Sequence, residues 1–403
     1  MNVALYYPWL YLKSGGERTV SEILRRSRHN WTIMTNRYEA DSTFDSLRGA
    51  KIVELPSVSV QRSFYHVASA ARQMLGQKLD MADQDALVVF CEGLGDMVVF
   101  RNHDIPVICF CLTPLRAAFD PFYQEQYLKM HGNQWFRRLA LKLGAAAFRV
   151  ADRRAWKYYT HVFAISQEVK RRIVNGNLHP ADKISLIYPG IDLSQLNPSG
   201  IYEKNFLLCG RIMWTKNIEL GIDAILDLQA RRADLRDFTL TIAGFVDQKS
   251  RPYLAKLRER AAGCSQIKFV ESPSDEELFR LYQSCYAVLY TPLNEDWGLV
   301  PLEGMALEKP VITVNRGGPQ ETVVHGETGF LLDAQPEVFS AALEMLADDP
   351  ARVRRMGKAG RIHVQRYEWT RFCTILDEYL DGVAKAAPVM GGLGRRSEPM
   401  TSS

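Results

Sequence analysis

Two glutamates with seven residues between them, Glu295 and Glu303, bracket the stretch of this chain best suited to chemistry. Between them the chain passes from a polar loop into a helix, a change marked by Pro301, which suits a first helical turn. The backbone N–H groups of Gly298, Leu299 and Val300 then stand at a helix N-terminus. There, unpaired donors and the helix dipole favour an anion. Glu303 read as a first-turn residue has a plain alternative as a helix-starting acid, but that leaves Glu295, Trp297 and Gly298 without a purpose. A second set of charges, Arg211 and Lys216, follows the apolar run 206–209 and Gly210, with Asn217 next. Fixed positive charges and N–H donors aimed at one place stabilise negative charge as it develops, which is what the departure of a phosphate-type leaving group requires.

Such groups must be held by a scaffold, and the pattern of apolar runs indicates which. In the second half, apolar runs at 206–210, 238–243, 267–270, 287–290 and 311–314 alternate with helical or polar connectors. Each ends in polar or glycine-rich residues: Gly210 and Arg211, Gly244, Glu271, Thr291, and 315–318. Ligand-binding residues gathered at the carboxyl ends of parallel strands are the rule for doubly wound sheets. In the first half, runs at 2–7, 31–35, 51–55, 86–91 and 107–111 alternate in the same way. The expected fold is therefore α/β, with two Rossmann-like doubly wound domains facing a cleft. At 403 residues, two ordinary cores are expected. The turn Tyr188-Pro189-Gly190 and the polar segment after it place the boundary near 198, giving domains 1–198 and 199–368. A helical segment, 369–386, closes the fold. Residues 387–403 lack periodicity and read as a disordered tail.

Composition narrows the class. The chain is 47% hydrophobic and 24% charged with a net charge of +4, so neither wholesale disorder nor nucleic-acid binding is expected. The seven cysteines are odd in number and lie mostly in apolar runs, as reduced buried thiols do. Cys109 and Cys111 alternate on a strand with no His or Cys partner nearby to complete a metal set. Asp83-Gln84-Asp85 precedes the strand 86–91, at the end opposite the crevice of a parallel sheet, and reads as a turn rather than a metal site. The N-terminus lacks a basic region and a cleavage site, and no run approaches the ~20 apolar residues of a membrane span. Gly15-Gly16-Glu17-Arg18 follows a strand and opens a helix, a weak phosphate-loop signal by itself. From 134 to 159 the chain is basic and amphipathic, with seven Arg or Lys interleaved with Trp135, Phe136, Leu139, Leu143, Phe148 and Trp156. Such a face suits an anionic membrane surface, or else covers a core with its charges in solvent.

The two glutamates, together with "GMALEKPVITVNRGGPQETVVHGETGFLL" after them, resemble the donor-site signature of the retaining GT-B glycosyltransferases of family 4. The wording is similar to that of the dolichol-pathway α-1,3/1,6-mannosyltransferase group, densely from 206 to 332 and more thinly before. The resemblance implies that Glu303 meets the ribose hydroxyls of a nucleotide and Glu295 meets the transferred sugar. Arg211 and Lys216 would stabilise the leaving diphosphate, while Gly210, Asn217, Gly244, Glu271, Gly298, Leu299 and Val300 would line the donor site. It also implies that the loop of Gly15, Gly16 and Glu17 faces the cleft from the first domain. "CFCLTPLRAAFD" resembles a family loop reading Cys-His-Thr-Pro-x-Arg; Thr113 and Arg116 match as acceptor-side residues, and Leu112 replaces the histidine.

The expectation is thus a retaining hexosyltransferase, first of all one using GDP-mannose, with a glycan or lipid-linked acceptor. A UDP- or other NDP-sugar with a soluble acceptor is the runner-up, and a non-catalytic nucleotide-sugar-binding module a further alternative. No cofactor or metal is expected, because the donor is a substrate and no acidic triplet lies at a strand end. No nucleic-acid partner is expected, and the expected site of action is the cytoplasm, with peripheral contact at the inner face of a membrane.

Overall fold

A computed structural model describes residues 1–59, 64–132 and 134–386; the stretch 387–403, expected to be a disordered tail, lies outside the described residues. The first half contributes β1 (Asn2–Tyr6), β2 (Trp9–Leu10), β3 (Asn30–Thr35), β4 (Arg37–Tyr38), β5 (Ile52–Glu54), β6 (Ala86–Cys91), β7 (Val107–Cys111), β8 (His161–Ala164) and β9 (Ile184–Leu186). Seven of them form one parallel sheet in the order β5-β3-β1-β6-β7-β8-β9, while β2 and β4 pair separately. The second half contributes β10 (Asn205–Cys209), β11 (Thr239–Gly244), β12 (Ile267–Glu271), β13 (Ala287–Tyr290), β14 (Val311–Val314) and β15 (Gly329–Leu332). These make a second parallel sheet, β12-β11-β10-β13-β14-β15. The doubly wound expectation for both halves is met.

The central strands explain why their sequences are apolar throughout rather than alternating. All six residues of β6 and all five of β7 are buried, since helices cover both sheet faces. The strands β9 and β15, each at the edge of its sheet, were not foreseen.

The chain crosses between the two lobes twice, and the crossings touch. Ile191 donates to the Tyr367 carbonyl at 2.9 Å, and the Trp369 N–H donates back to the Ile191 carbonyl. Gly190 must be glycine here, because a Cβ would fall 2.5 Å from the Glu368 backbone. Beyond this point the helix Trp369–Ala386 lies on the first lobe, against the helix Gly15–Arg26. Phe372 packs edge-on against Phe110 of β7, and Asp377 accepts from the Ser27 hydroxyl and the Arg28 N–H.

Candidate active site

The parallel register brings the carboxyl ends of β10, β11 and β12 together, with Cys209 beside Ala243 and Gly244 beside Glu271. Gly210 adopts φ +138° and Gly244 runs so close to it that a Cβ would clash with the Gly210 carbonyl. Gly210 is therefore favoured by its positive φ and Gly244 by backbone approach, quite apart from any ligand. Glu271, at the same level, is on the edge strand. Its carboxylate is engaged by Arg258 at 2.6 Å and Arg251 at 3.7 Å, both on the helix Arg251–Arg260.

Lys216 ends a short 3-10 turn, Trp214–Lys216, and Asn217 in left-handed conformation (φ +49°) starts the helix Ile218–Arg231. The loop after β13 is tied to that turn. The Thr291 hydroxyl donates to the Lys216 carbonyl at 2.8 Å and the Leu293 N–H to the Thr215 carbonyl at 3.0 Å. This delivers Glu295 to Lys216, whose Nζ lies 2.5 Å from Oε2. Burial pushes the Glu295 carboxyl up, but Lys216, Arg116 and the Tyr290 hydroxyl outweigh it and hold it below the usual carboxylate range. Glu295 is thus an anion that is already paired.

The helix predicted at Pro301 begins two residues earlier, as Leu299–Ala306, because Gly298 takes φ +95° and caps it. Glu303 is consequently its fifth residue, one turn in, rather than a first-turn acid. The plain reading of Glu303 as a helix-starting charge falls with that correction. Its carboxylate accepts from the Tyr282 hydroxyl at 2.8 Å and lies 3.7 Å from Arg18, on the first-lobe helix Gly15–Arg26. The N–H groups of Gly298, Leu299 and Val300 stand at the start of the same helix.

From the first lobe, Gly16 passes under Tyr7, where a Cβ would sit 2.5 Å from the phenol oxygen. Gly15 has no such neighbour. Glu17, in the first turn, is 2% exposed and accepts a hydrogen bond from Ser14. Burial raises its carboxyl to about 7; Glu92 adds to this, while Ser14 and Arg211 oppose it. The charge of Arg211 thus reaches the first lobe, acting on both Glu17 and Tyr7. Arg116 pairs with Asp120 at 2.9 Å and stacks over Tyr123, yet its charge also reaches Glu295. Thr113 accepts from Arg172 at 3.2 Å. Leu112 is buried against Gly16.

Sequence reasoning missed the residues that join the lobes. Arg172, on the helix Gln167–Asn175, meets Glu168 at 3.0 Å, Asp120 at 3.8 Å and Asp296 of the second lobe. Ser166, the cap of that helix, accepts from the Val169 N–H at 3.0 Å and also donates to the Asp296 carbonyl. The N-terminus of that helix receives Glu321, which accepts from the Gln167 N–H at 2.8 Å. Trp297 donates from Nε1 to the Pro189 carbonyl at 2.9 Å and stacks on Tyr188. Its role is to anchor the loop that carries Glu295. The one sequence signal for Arg172 was its i,i+4 spacing from Glu168.

One first-half expectation changes. Cys109 and Cys111 do gain a third thiol: Cys91, opposite Cys111 on β6, brings the three sulfurs within 4.8 Å of one another. Burial holds all three thiols far above their ordinary range, and Cys91 donates to the buried Asp96 carboxylate at 2.8 Å. Three thiolates and a carboxylate in so apolar a place would be costly, so the group reads as packed neutral thiols. Asp83 and Asp85 tie the turn before β6 to Asn2, at the sheet end away from the cleft, as expected. In the basic segment, the helix Trp135–Ala155 turns Phe148 toward Phe119, and Trp156 just beyond it is fully buried. Trp135, Phe136, Leu139, Leu143 and Val150 face outward, with Trp135 77% and Leu143 63% exposed. No helix among the described residues is long and apolar enough to cross a membrane.

Residues 14–195 match the family model described as Glycosyltransferase Family 4, and residues 196–363 match that described as Glycosyl transferases group 1. The chain is a family 4 glycosyltransferase with the GT-B fold. Human alpha-1,3/1,6-mannosyltransferase ALG2 is 37% identical over 183 residues, 43% of each chain. The D-inositol 3-phosphate glycosyltransferase of Pseudarthrobacter chlorophenolicus is 29% identical over 228 residues, 52% of this chain and 54% of that one. The chain therefore spans about half the length of the curated relatives it matches. Among solved structures, Anabaena HepE in complex with UDP-glucose superposes with a TM-score of 0.71 at 17% identity, covering 95% of this glycosyltransferase and all of HepE. Sucrose-phosphate synthase from Thermosynechococcus elongatus gives 0.74 at 17% identity, covering 96% and 100%. At such identity these two speak for the fold alone.

Proposed function

We propose that this glycosyltransferase takes mannose from GDP-mannose and transfers it, with retention, to a glycan carried on a lipid. The observation that carries the reading is the Lys216–Glu295 pair, seated beside the helix start at Gly298 and reached by Arg116 from the other lobe. A nucleotide sugar laid along the strand ends has its diphosphate met by Arg211, Lys216 and the N–H groups of Gly298, Leu299 and Val300. Those groups oppose the charge that grows as the glycosidic bond breaks. Glu303 then accepts from the ribose and Glu295 from the sugar. With Glu295 held as an ion pair rather than as a nucleophile, the acceptor attacks from the face the diphosphate leaves, and the diphosphate takes the acceptor's proton. Arg211 and Lys216 serve where a cation would otherwise be needed.

Mannose is supported by the 37% identity to the human mannosyltransferase. The lipid-linked acceptor is supported by the outward face of Trp135–Ala155. Its apolar residues recur at steps of three, four and seven, among Arg137, Arg138, Lys142 and Arg149. Apolar side chains that enter an anionic interface, flanked by lysine and arginine, hold a protein at a membrane surface. A second reading, a different nucleotide sugar with a small soluble acceptor, is favoured by the longer match to the inositol phosphate enzymes. A thermal-shift panel of GDP-, UDP-, ADP- and dTDP-sugars, followed by turnover with each hit, separates the two. Stabilisation and turnover by a UDP-sugar alone would reject the GDP-mannose assignment.

A further inference from the structure

The wall of the first lobe that faces Arg211 carries a group of polar side chains that donor binding does not use. Tyr7 stands just past β1 and Glu92 just past β6, and these strands are neighbours in the sheet. The Tyr7 hydroxyl donates to Glu92 Oε1 at 2.7 Å. Glu17 lies close enough to act on both: its charge raises the Tyr7 hydroxyl, and that of Glu92 raises Glu17. The next residue on that helix, Arg18, reaches to 3.7 Å from Glu303 of the second lobe. Gly16 keeps the group compact, since any side chain there would displace the Tyr7 phenol. Glu92, half-buried, therefore stands beside the buried Tyr7 phenol and the buried Glu17 carboxyl, both of which feel the charge of Arg211.

Carboxylates accept hydrogen bonds from hydroxyl groups, and two lone-pair-rich oxygens on one carboxylate suit a pair of adjacent hydroxyls. We propose that Glu92, oriented by Tyr7 and flanked by Glu17, binds vicinal hydroxyls of a sugar acceptor and sets that acceptor against the donor. The assignment rests on the cleft being the place of glycosyl transfer. No bond is made to Glu92: it binds, and Tyr7 is a positioning residue.

The test measures transfer from the nucleotide sugar that turns over in the donor panel to octyl α-mannoside, octyl β-glucoside and myo-inositol, alongside hydrolysis of that donor by water. Glu92→Gln should raise acceptor KM by roughly 10- to 100-fold, the loss of a hydrogen bond to a charged group. Tyr7→Phe should raise it less. In both, donor KM and the rate of hydrolysis should stay within about 2-fold of the parent enzyme. Glu92→Asp, which keeps the charge and shortens the reach, should fall between and guards against misfolding of the first variant. Equal loss of transfer and hydrolysis, an unchanged acceptor KM, or transfer by the parent enzyme to none of the probes would overturn the assignment. Absence of binding or hydrolysis of every nucleotide sugar by the parent enzyme would instead fault the reading of the cleft itself.

Discussion

Arg172 of the first lobe, itself buried, forms an ion pair with the half-buried Asp296 of the second, and Asp296 sits next to Glu295 in the chain. The same guanidinium balances Glu168 and Asp120. Arg172→Leu should therefore cost about 2–3 kcal/mol, because Asp296 loses its charged partner while Asp120 and Glu168 lose one of two, keeping Arg116 and Arg171. Asp296→Asn should cost only ~1 kcal/mol, since the arginine keeps two partners. Urea unfolding of the two variants checks the ranking, and equal losses would contradict it.

The two glutamates should separate kinetically. In the proposed donor site Glu303 meets the ribose, a part that does not change in the reaction, so Glu303→Gln should raise donor KM with little effect on kcat. Glu295→Gln, which strips Lys216 of its partner beside the reacting sugar, should lower kcat by roughly 10²-fold. Arg211→Ala should resemble it. Near-normal kinetics for Glu303→Gln would mean that the nucleotide does not sit at the helix Leu299–Ala306.

Chelation should matter little. With Arg211, Lys216 and the helix start at Gly298 opposing the leaving group's charge, EDTA should leave initial rates largely intact. Complete loss of activity, restored by magnesium or manganese, would overturn this.

Flotation with phosphatidylserine vesicles should bring this protein to the lipid fraction at low salt and release it at high salt. The double variant Trp135→Glu, Leu143→Glu should abolish flotation without lowering the melting temperature, because both side chains lie outside the core. A parent protein that stays in the aqueous fraction at low salt would count for a soluble acceptor.

Glu17 should make stability pH-dependent in a specific direction. Burial, aided by the charge of Glu92, raises its carboxyl to about 7 in the folded chain against an ordinary value of 4.5, over the opposition of Ser14 and Arg211; the neighbouring Tyr7 phenol feels its charge in turn. Below pH 4.5 both states hold the proton and nothing is lost. As pH rises toward 7 the unfolded state ionises first, so stability falls, and above 7 the full penalty remains. Glu17→Gln should then gain about 1–3 kcal/mol over the parent at pH 8 relative to pH 4.5. A difference that does not vary with pH would show that Glu17 is ionised throughout.

What the chain reveals without its structure is whatever depends on near neighbours. Strands β6, β7 and β13 were legible to the residue, since uninterrupted apolar runs flanked by turn residues mark a doubly covered parallel sheet. The strand ends followed from the same pattern, and with them Gly210, Lys216 and Glu295. Local backbone detail was less accessible: the left-handed twist at Gly298 moved a helix start by two residues and changed the standing of Glu303. Tertiary structure alone decided which charges meet. Arg172 and Asp296 are 124 residues apart, and Gln167 and Glu321 are 154 apart. Nothing in the periodicity around either partner announces the other, because such pairs form only when two separately folded sheets present their strand ends to one cleft. For the same reason the part played by Trp297, an anchor to Pro189, was not legible in the sequence. The outward turn of Trp135 and Leu143, with the inward turn of Phe148 and Trp156, was fixed by where the first lobe's core lies, which an amphipathic sequence does not specify.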